Sequence, residues 1–412
     1  MTTAACAVAA VCLGAVASCA PPDPDEPDAG GGETPVTPAP AGAARDWNAV
    51  IEVVVRRLAL APGESVFAAG RPDLFAELPG TLARAVEAAG GVYVGTLGVD
   101  GPYGPDGTEA FATAATGLDR EGLRELLRDV PVGVMLPGAS GSDPAYAAMV
   151  DLLREGLGVH RAVHFHWGGA YPIEDLSVPV PAEALAYPTV DSAADAMYRR
   201  AITAVDYEAL EAAQTAFERA ARAGEVHVTT PAGTDLRFRI GDRPVNRQDG
   251  DASAARTERS RILIDREIEF PAGVLRVAPL ETTVEGVIAF PRSEWNGGGV
   301  VEDLLLTIEA GRITGVRAGS GVEHARTELE GAGEAAAFRE LGVGFNPLLA
   351  VPRDDPWLPY FGYGSGVVRL SLGDNSELGG NVGGGWIKWV FVLDATVEVD
   401  GVRWVEDGRA VR

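Results

Sequence analysis

Lysine is almost missing from this chain: Lys388, in the stretch GGGWIKWVFVLD, is the only one among 412 residues, and every other basic residue is arginine. An arginine-only basic set reflects a GC-rich coding bias and leaves two readings of Lys388 open, retained chemistry or accident. Cysteine is nearly as scarce. Cys6, Cys12 and Cys19 are the only three, so the body of the protein can carry neither a disulfide framework nor a cysteine-based metal site. Positive charge is outweighed throughout: the formal net charge is -25 and the pI about 4.6, a field that opposes nucleic acid and describes a soluble acidic surface. No Gly-x-Ser-x-Gly elbow is present, which removes support for an α/β serine hydrolase. The glycines of YGSGVVRL and GGNVGGGW lack the strand-turn-helix context of a phosphate loop and read as tight turns.

What is present begins with TTAACAVAAVCLGAVAS, an apolar stretch of about fifteen residues, short for a bilayer span and suited to a signal-peptide core. Residues 1–19 are read as that signal. Its end, Val16-Ala17-Ser18-Cys19, resembles the lipobox of bacterial lipoproteins, although no Lys or Arg precedes the apolar core. The resemblance implies a lipidated Cys19, an extracytoplasmic place in the cell envelope, and membrane contact through the lipid anchor only. Residues 20–46, rich in Pro, Gly, Ala and acid, have little to bury and read as a flexible tether.

With 46 % hydrophobic residues, the rest of the chain can fill two cores. Residues 47–190 alternate strand and helix signals: SVFAAG, LPGTLARAVEAAG, GVYVGTLGV, PVGVMLPG, PAYAAMVDLLREGL and HRAVHFHW. Strands separated by helices of this length predict an α/β domain with a mostly parallel sheet. Residues 191–223 have helical periodicity and end on Gly224, as bridging helices would. From 224 to 412 the signals are mainly strands, starting with the hairpin pattern EVHVTTPAGTDLRFRI, with one helix expected near 322–341. The predicted fold class is α/β, an N-terminal α/β domain followed by a strand-rich α+β domain.

GTDLRF, EFPAGVLRVAP, TVEGVIAFPRS, VEDLLLTIEAGRITGVRAG, ELGVGFNP and RLSLGDN with WIKW resemble, in order, the aminopeptidase T family of bacterial metallo-aminopeptidases, and the LALAPGESV opening fits as well. The same fold serves the dihydroxypyridine dioxygenases, which bind one iron. The resemblance implies a pair of divalent metals, held in the peptidases by two glutamates, two histidines, an aspartate and a tyrosine; such lone-pair donors polarise a carbonyl and activate water. Carried over residue by residue, most are gone. One glutamate position holds Val274, the first histidine falls on Arg369, the tyrosine falls at or next to Ser376, and the His-Trp-Asp triplet becomes Lys388-Trp389-Val390; only Glu340 survives. Protonated lysine and arginine have no lone pair to give, and the substitutions that exclude the paired metals exclude the single iron too.

The resemblance therefore implies an exported, degenerate aminopeptidase-like protein with no cofactor, a non-peptidase binding a peptide or small carboxylate at Arg369, Lys388 and Glu340, with a homodimer as a further expectation. Arg266, read as sharing a face with Ile262, Ile264, Ile268 and Phe270 on a strand, would add to this cationic cluster. A salt bridge that merely replaces the metal is the plainer alternative. Three others stay open: a zinc- or cobalt-dependent aminopeptidase using His164, His166, Asp249 or Asp251; a metal-free enzyme with Lys388 as base or nucleophile; and a structural envelope protein. His164 and His166 share one strand face and could hold a metal, with no third ligand evident. Asp249-Gly250-Asp251 reads as a polar turn rather than a calcium loop.

Overall fold

The computed structural model describes residues 47–412 apart from 72–74, 99–100, 103–108, 140, 142, 156–159, 168–169, 182–191, 355 and 360–361. The signal peptide, Cys19 and the tether lie outside the described residues. Among those described, no helix is long and apolar enough to cross a membrane.

The N-terminal unit is built on a six-stranded sheet whose strands run, in spatial order, Glu267–Phe270, Arg161–Phe165, Val132–Met135, Ser65–Gly70, Val92–Gly98 and Gly101–Pro102. All neighbours are parallel except the last pair. The helix Asn48–Leu58 buries Val50, Ile51, Val54 and Leu58, the one-sided apolar stripe that seats a helix on a sheet. Helix Pro144–Glu155 covers the sheet with Tyr146, Met149 and Leu152. One strand of this sheet, Glu267–Phe270, comes from far along the chain, so residues of the C-terminal unit complete the N-terminal one.

Two helices, Ser192–Thr203 and Tyr207–Ala223, bridge the units; the Asp206 carboxylate accepts from the Ala209 amide and caps the second. Beyond them lie two antiparallel sheets. The larger runs Arg312–Arg317, Gly299–Glu309, Glu285–Trp295, Asp235–Phe238, Val226–Thr229, Thr396–Val399, Val402–Glu406 and Arg409–Ala410. The other runs Val245–Arg247, Val274–Val277, Phe338–Gly344, Val368–Gly373, Val390–Val392 and Val180–Pro181, with Ile387–Lys388 also paired to Val368–Gly373. Leu275, Val277, Leu341, Val343, Val368, Leu370 and Leu372 of the second sheet pack with Val228, Leu236, Ile288 and Leu306 of the first in one core.

The expected helix near 322–341 stops early. Val322–Ala332 is helical, but Phe338–Gly344 is a strand buried along its whole length in the middle of the second sheet. Gly331 and Gly333 weaken helix continuation, and a run buried on both sides has no amphipathic period to separate helix from strand. RILIDREIEF also differs: Leu263–Arg266 is a short 3-10 turn, and the strand begins only at Glu267.

Candidate functional site

Strand parity places the site. Successive side chains alternate between faces, so the core takes Leu275, Leu341, Val343, Val368 and Leu370, and the opposite face of the same sheet receives Arg276, Glu340, Gly342, Arg369, Ser371 and Phe391. The register lines up Arg276, Gly342, Arg369 and Phe391 across four adjacent strands. A Cβ on Gly342 would stand 3.1 Å from the Cβ and 3.3 Å from Nε of Arg369; the glycine leaves the space that the guanidinium fills.

Glu340 is fully buried at the centre. Arg276 donates to it from Nε at 3.1 Å and Nη2 at 2.9 Å, and Nη2 also reaches Glu377 at 2.8 Å. Ser371 donates to its other oxygen at 3.3 Å. Arg339 bonds Glu377 and stands 3.7 Å from Glu340, and Arg369 Nε is 2.9 Å from Glu340. Burial pushes the Glu340 carboxyl up, but the charges of Arg276, Arg369 and Arg339 outweigh it and hold the pKa down to about 2. Burial also raises Glu377, and Arg339 and Arg276 reverse it.

Two members do not settle fully: Arg339 has Nε and Nη1 without a hydrogen-bond partner among the described residues, and Arg369 is the other. It is 3 % exposed, and although Nε is at ion-pair distance from Glu340, neither Nε nor Nη2 has a hydrogen-bond partner with proper geometry among the described residues. Burial pulls its pKa down to about 10, with Glu340 and Glu269 opposing and Arg276 and Arg339 adding to the fall. The guanidinium carbon lies 5.3 Å and 5.8 Å from the ring centres of Trp389 and Phe391. A buried structural arginine looks different. Arg161, 1 % exposed, donates from Nη1 and Nη2 to Glu64 at 2.6 and 2.9 Å, from Nε to the Ala252 carbonyl at 2.8 Å and from Nη2 to that of Leu58 at 3.1 Å.

The second half of the site faces this one from the N-terminal sheet. The strand Glu267–Phe270 pairs with Arg161–Phe165, opposing Glu269 to His164, so two imidazoles and two carboxylates form a grid on one face. His166 Nε2 is 3.0 Å from Glu269, to which the Tyr363 hydroxyl also donates. Tyr146 lies 3.0 Å from His164 Nδ1 and donates to Glu267. The two imidazole rings are 3.9 Å apart. Burial, and then the neighbouring His166, push His164 well below the usual histidine range, against a bond to Ala139. Burial raises Glu267 to about 7; Glu269 and Glu377 add to the rise while Tyr146 and Arg276 oppose it. Tyr363 is positioned by close approach: a Cβ on Gly273 would stand 2.6 Å from the Tyr363 carbonyl oxygen.

Of the four residues expected at the ligand site, Arg369 and Glu340 come together; the candidate pair His164 and His166 also meets, in the other half. Lys388 is not with them. It pairs across the ladder with Leu372, a core-facing residue, so parity sends it to the opposite face, where Nζ lies 3.3 Å from Glu328 and 4.5 Å from the Trp295 ring centre. There it lines a cleft of about 560 Å³ with Arg292, Glu174 and Asp175. Val390 is likewise in the core, and Trp389 and Phe391 take the side facing Arg369. Arg266 is also elsewhere: the 3-10 turn aims Nη1 at the Leu153 carbonyl, 3.2 Å away. Asp249 pairs with Arg256 at 3.0 Å and accepts from the Asp251 amide, a polar turn.

The metal expectations fail on donor chemistry. Among the described residues no group of three or more His, Cys, Asp or Glu is placed to hold a metal ion. Residues 190–412 contain two histidines; His227 pairs with Asp235 at 2.8 Å, and His324 lies beside Glu323 on a different element. Neither supplies a ligand to the Glu340 centre, which is ringed by guanidiniums.

The architecture is that of an α/β protein with a mostly parallel N-terminal sheet and an antiparallel, strand-rich C-terminal region. It is shared with two solved structures. The 2,5-dihydroxypyridine dioxygenase from Pseudomonas putida KT2440 matches with a TM-score of 0.56 at 16 % identity, covering 89 % of this chain and 96 % of the other. AmpT from Thermus thermophilus matches with a TM-score of 0.52 at 19 % identity, covering 89 % and 100 %. At these identities the likeness is one of fold alone, and no curated protein matches the sequence. The family is decided by the chain itself: residues 190–412 match the model of NicX, 2,5-dihydroxypyridine 5,6-dioxygenase, and the protein belongs to that family.

This corrects the aminopeptidase T assignment. The motifs that suggested it lie in a fold common to both groups, and the family match is to the dioxygenases. The reading as an aminopeptidase-like protein, with or without peptidase activity, falls with it, as does the zinc- or cobalt-dependent alternative, which has no metal-binding cluster to support it. The dioxygenase family implies an iron, and the residues at the Glu340 centre do not fit one: arginine offers no lone pair, and every oxygen of Glu340 is engaged by a guanidinium or Ser371.

The sequence held signals for part of what was missed. VLRV puts Arg276 on the same face of a buried strand as Val274, and EIEF alternates its two carboxylates. Arg339 was hidden by the helical reading of its strand. Glu377, Tyr146 and Tyr363 are brought in by tertiary structure alone.

Proposed function

We propose that this family member binds a small, flat, oxygen-bearing nitrogen heterocycle of the hydroxypyridine class at Arg369, without metal-dependent ring opening. The observation that supports it is the buried Arg369 guanidinium, whose Nη2 has no hydrogen-bond partner among the described residues and whose carbon lies 5.3 and 5.8 Å from the ring centres of Trp389 and Phe391. Buried donors of this kind cost free energy unless a partner arrives, and a planar guanidinium fork suits an oxygen-bearing, planar partner. The ligand class comes from the family's substrate, 2,5-dihydroxypyridine. Trp389 and Phe391 supply apolar faces, and Glu340 with Glu377 keeps the three guanidiniums from repelling one another.

We further propose that the protein works outside the cytoplasmic membrane, held by lipid on Cys19.

Titration calorimetry with 2,5-dihydroxypyridine tests the binding. The full chain is expected to bind it, and Arg369→Met to weaken binding at least tenfold, the loss of about one charge-assisted hydrogen bond. Absence of binding, or equal binding by the variant, would overturn the proposal. Oxygen consumption with the same compound after ferrous iron is added would restore the family's dioxygenase activity in its place.

A further inference from the structure

The grid of two histidines and two glutamates takes no part in holding the hydroxypyridine. Its members are half-buried or buried and lie on or beside two adjacent parallel strands; His164 and Glu267 are engaged by Tyr146, Glu269 by Tyr363, and His166 by Glu269. A purely structural cluster would pair each carboxylate with a cation. Here the cations lie across the site on the other sheet, and two carboxylates share one face with two imidazoles.

We infer that this grid is a proton-transfer centre acting on the compound held by Arg369, with Glu267 as the proton donor and the His166–Glu269 pair as the acceptor. The inference rests on the binding proposed above. The two halves share one field: Glu269 acts on the Arg369 guanidinium, and Arg276 and Glu377 act on Glu267. His166 is suited to accept because Glu269, 3.0 Å from its Nε2, stabilises the imidazolium that forms. Glu267 is suited to donate because its carboxyl keeps its proton up to about pH 7, through burial first and the charge of Glu269 second.

The step needs no oxidant. The Glu267 proton passes to a carbon of the electron-rich ring, forming a C–H bond from the ring π pair, while the ring hydroxyl gives its proton to His166. The product is the keto tautomer, isomeric with the starting compound. Reversal removes a hydrogen from the same carbon. In D2O the ring C–H becomes C–D.

The groups facing Glu267 are Tyr146, His164, Glu269, Glu377 and Arg276. Since the acid form is the active one, exchange is expected to be fastest below about pH 7 and to fall as Glu267 ionises above it.

The test is proton NMR of 2,5-dihydroxypyridine in D2O with the full chain. Line broadening reports binding, and loss of one ring C–H signal reports transfer. Exchange is expected to exceed the protein-free rate by roughly a hundredfold or more, and to fall to that rate in Glu267→Gln and in His166→Gln. Lys388→Met, on the far side of the sheet, is expected to leave it unchanged. Circular dichroism melting establishes that each variant is folded, and either of the two grid variants suffices if the other is not. Binding without exchange, or exchange that survives in a folded grid variant, overturns the proton-transfer inference alone. No line broadening in the natural chain overturns the binding proposal and this inference with it.

Discussion

Replacing Arg369 with methionine is expected to make the protein more stable while removing its ligand. With 3 % of its surface exposed, Arg369 gains almost nothing from solvent, and desolvation lowers its pKa from the ordinary arginine range to about 10, with Glu340 unable to compensate fully. A fall of that size corresponds to roughly 3 kcal/mol of differential cost for carrying the charge in the folded chain. The sign follows from linkage: the unfolded arginine keeps its ordinary pKa, so the cost is absent above the ordinary arginine range, grows as pH falls toward 10, and is complete at neutral pH. Methionine is an unbranched, apolar replacement that needs no hydrogen bonds, and Glu340 retains both bonds from Arg276. Arg369→Met should therefore gain about 2–3 kcal/mol by guanidinium chloride unfolding at pH 7, with little change between pH 5 and 9. A variant destabilised by more than about 1 kcal/mol would mean that the Arg369–Glu340 contact is a structural tie, and the reasoning would fail.

Four further outcomes are expected, three from the same geometry and one from the sequence. Glu340→Gln leaves three guanidiniums around a neutral amide and should lose about 3–5 kcal/mol at pH 7; because the folded pKa is lowered to about 2, the stability contributed by Glu340 is present above the ordinary carboxyl range and the gap in acid melts should close as pH falls toward 2. Glu267→Gln has the opposite sign: a folded pKa raised to about 7 favours the natural chain below 4.5 and is lost as pH rises through 7, so the variant should be relatively more stable at pH 8 than at pH 5 by roughly 3 kcal/mol in thermal or chemical unfolding. Lys388→Met should bind 2,5-dihydroxypyridine within about twofold of the natural chain and change stability by no more than about 1 kcal/mol; a large loss of affinity by calorimetry would put Lys388 back in the site. Palmitate labelling should be lost in Cys19→Ala, and a labelled variant would refute the anchor.

Much of the fold was legible because its periodicities are local. The β/α alternation of residues 47–190, the bridging helices and the hairpin of Val226–Thr229 with Asp235–Phe238 follow from apolar spacing and turn residues. Phe338–Gly344 was not legible, since a strand buried on both faces carries no alternation. The site was readable only in fragments. Arg369 and Glu340 could be paired from the family-like motifs, but Lys388 could not be excluded from their company without the register that opposes it to Leu372. His164 and His166 were visible as a pair, and their partners were not, because Glu267 and Glu269 lie about a hundred residues downstream and reach them through a strand contributed to the other unit's sheet. Family identity was the least legible part: two groups share this fold, and motifs spread along a common scaffold do not separate them once the metal ligands are gone.

The central claim is that Arg369 awaits an oxygen-bearing planar ligand. It is tested most directly by a crystal structure of the protein soaked with 2,5-dihydroxypyridine. The account predicts the ring beside Trp389 and Phe391, with an oxygen accepting from Arg369 Nη2. Density for a metal ion at the Glu340 centre, or an Arg369 whose nitrogens are all bonded to protein atoms with the ligand elsewhere, would contradict it.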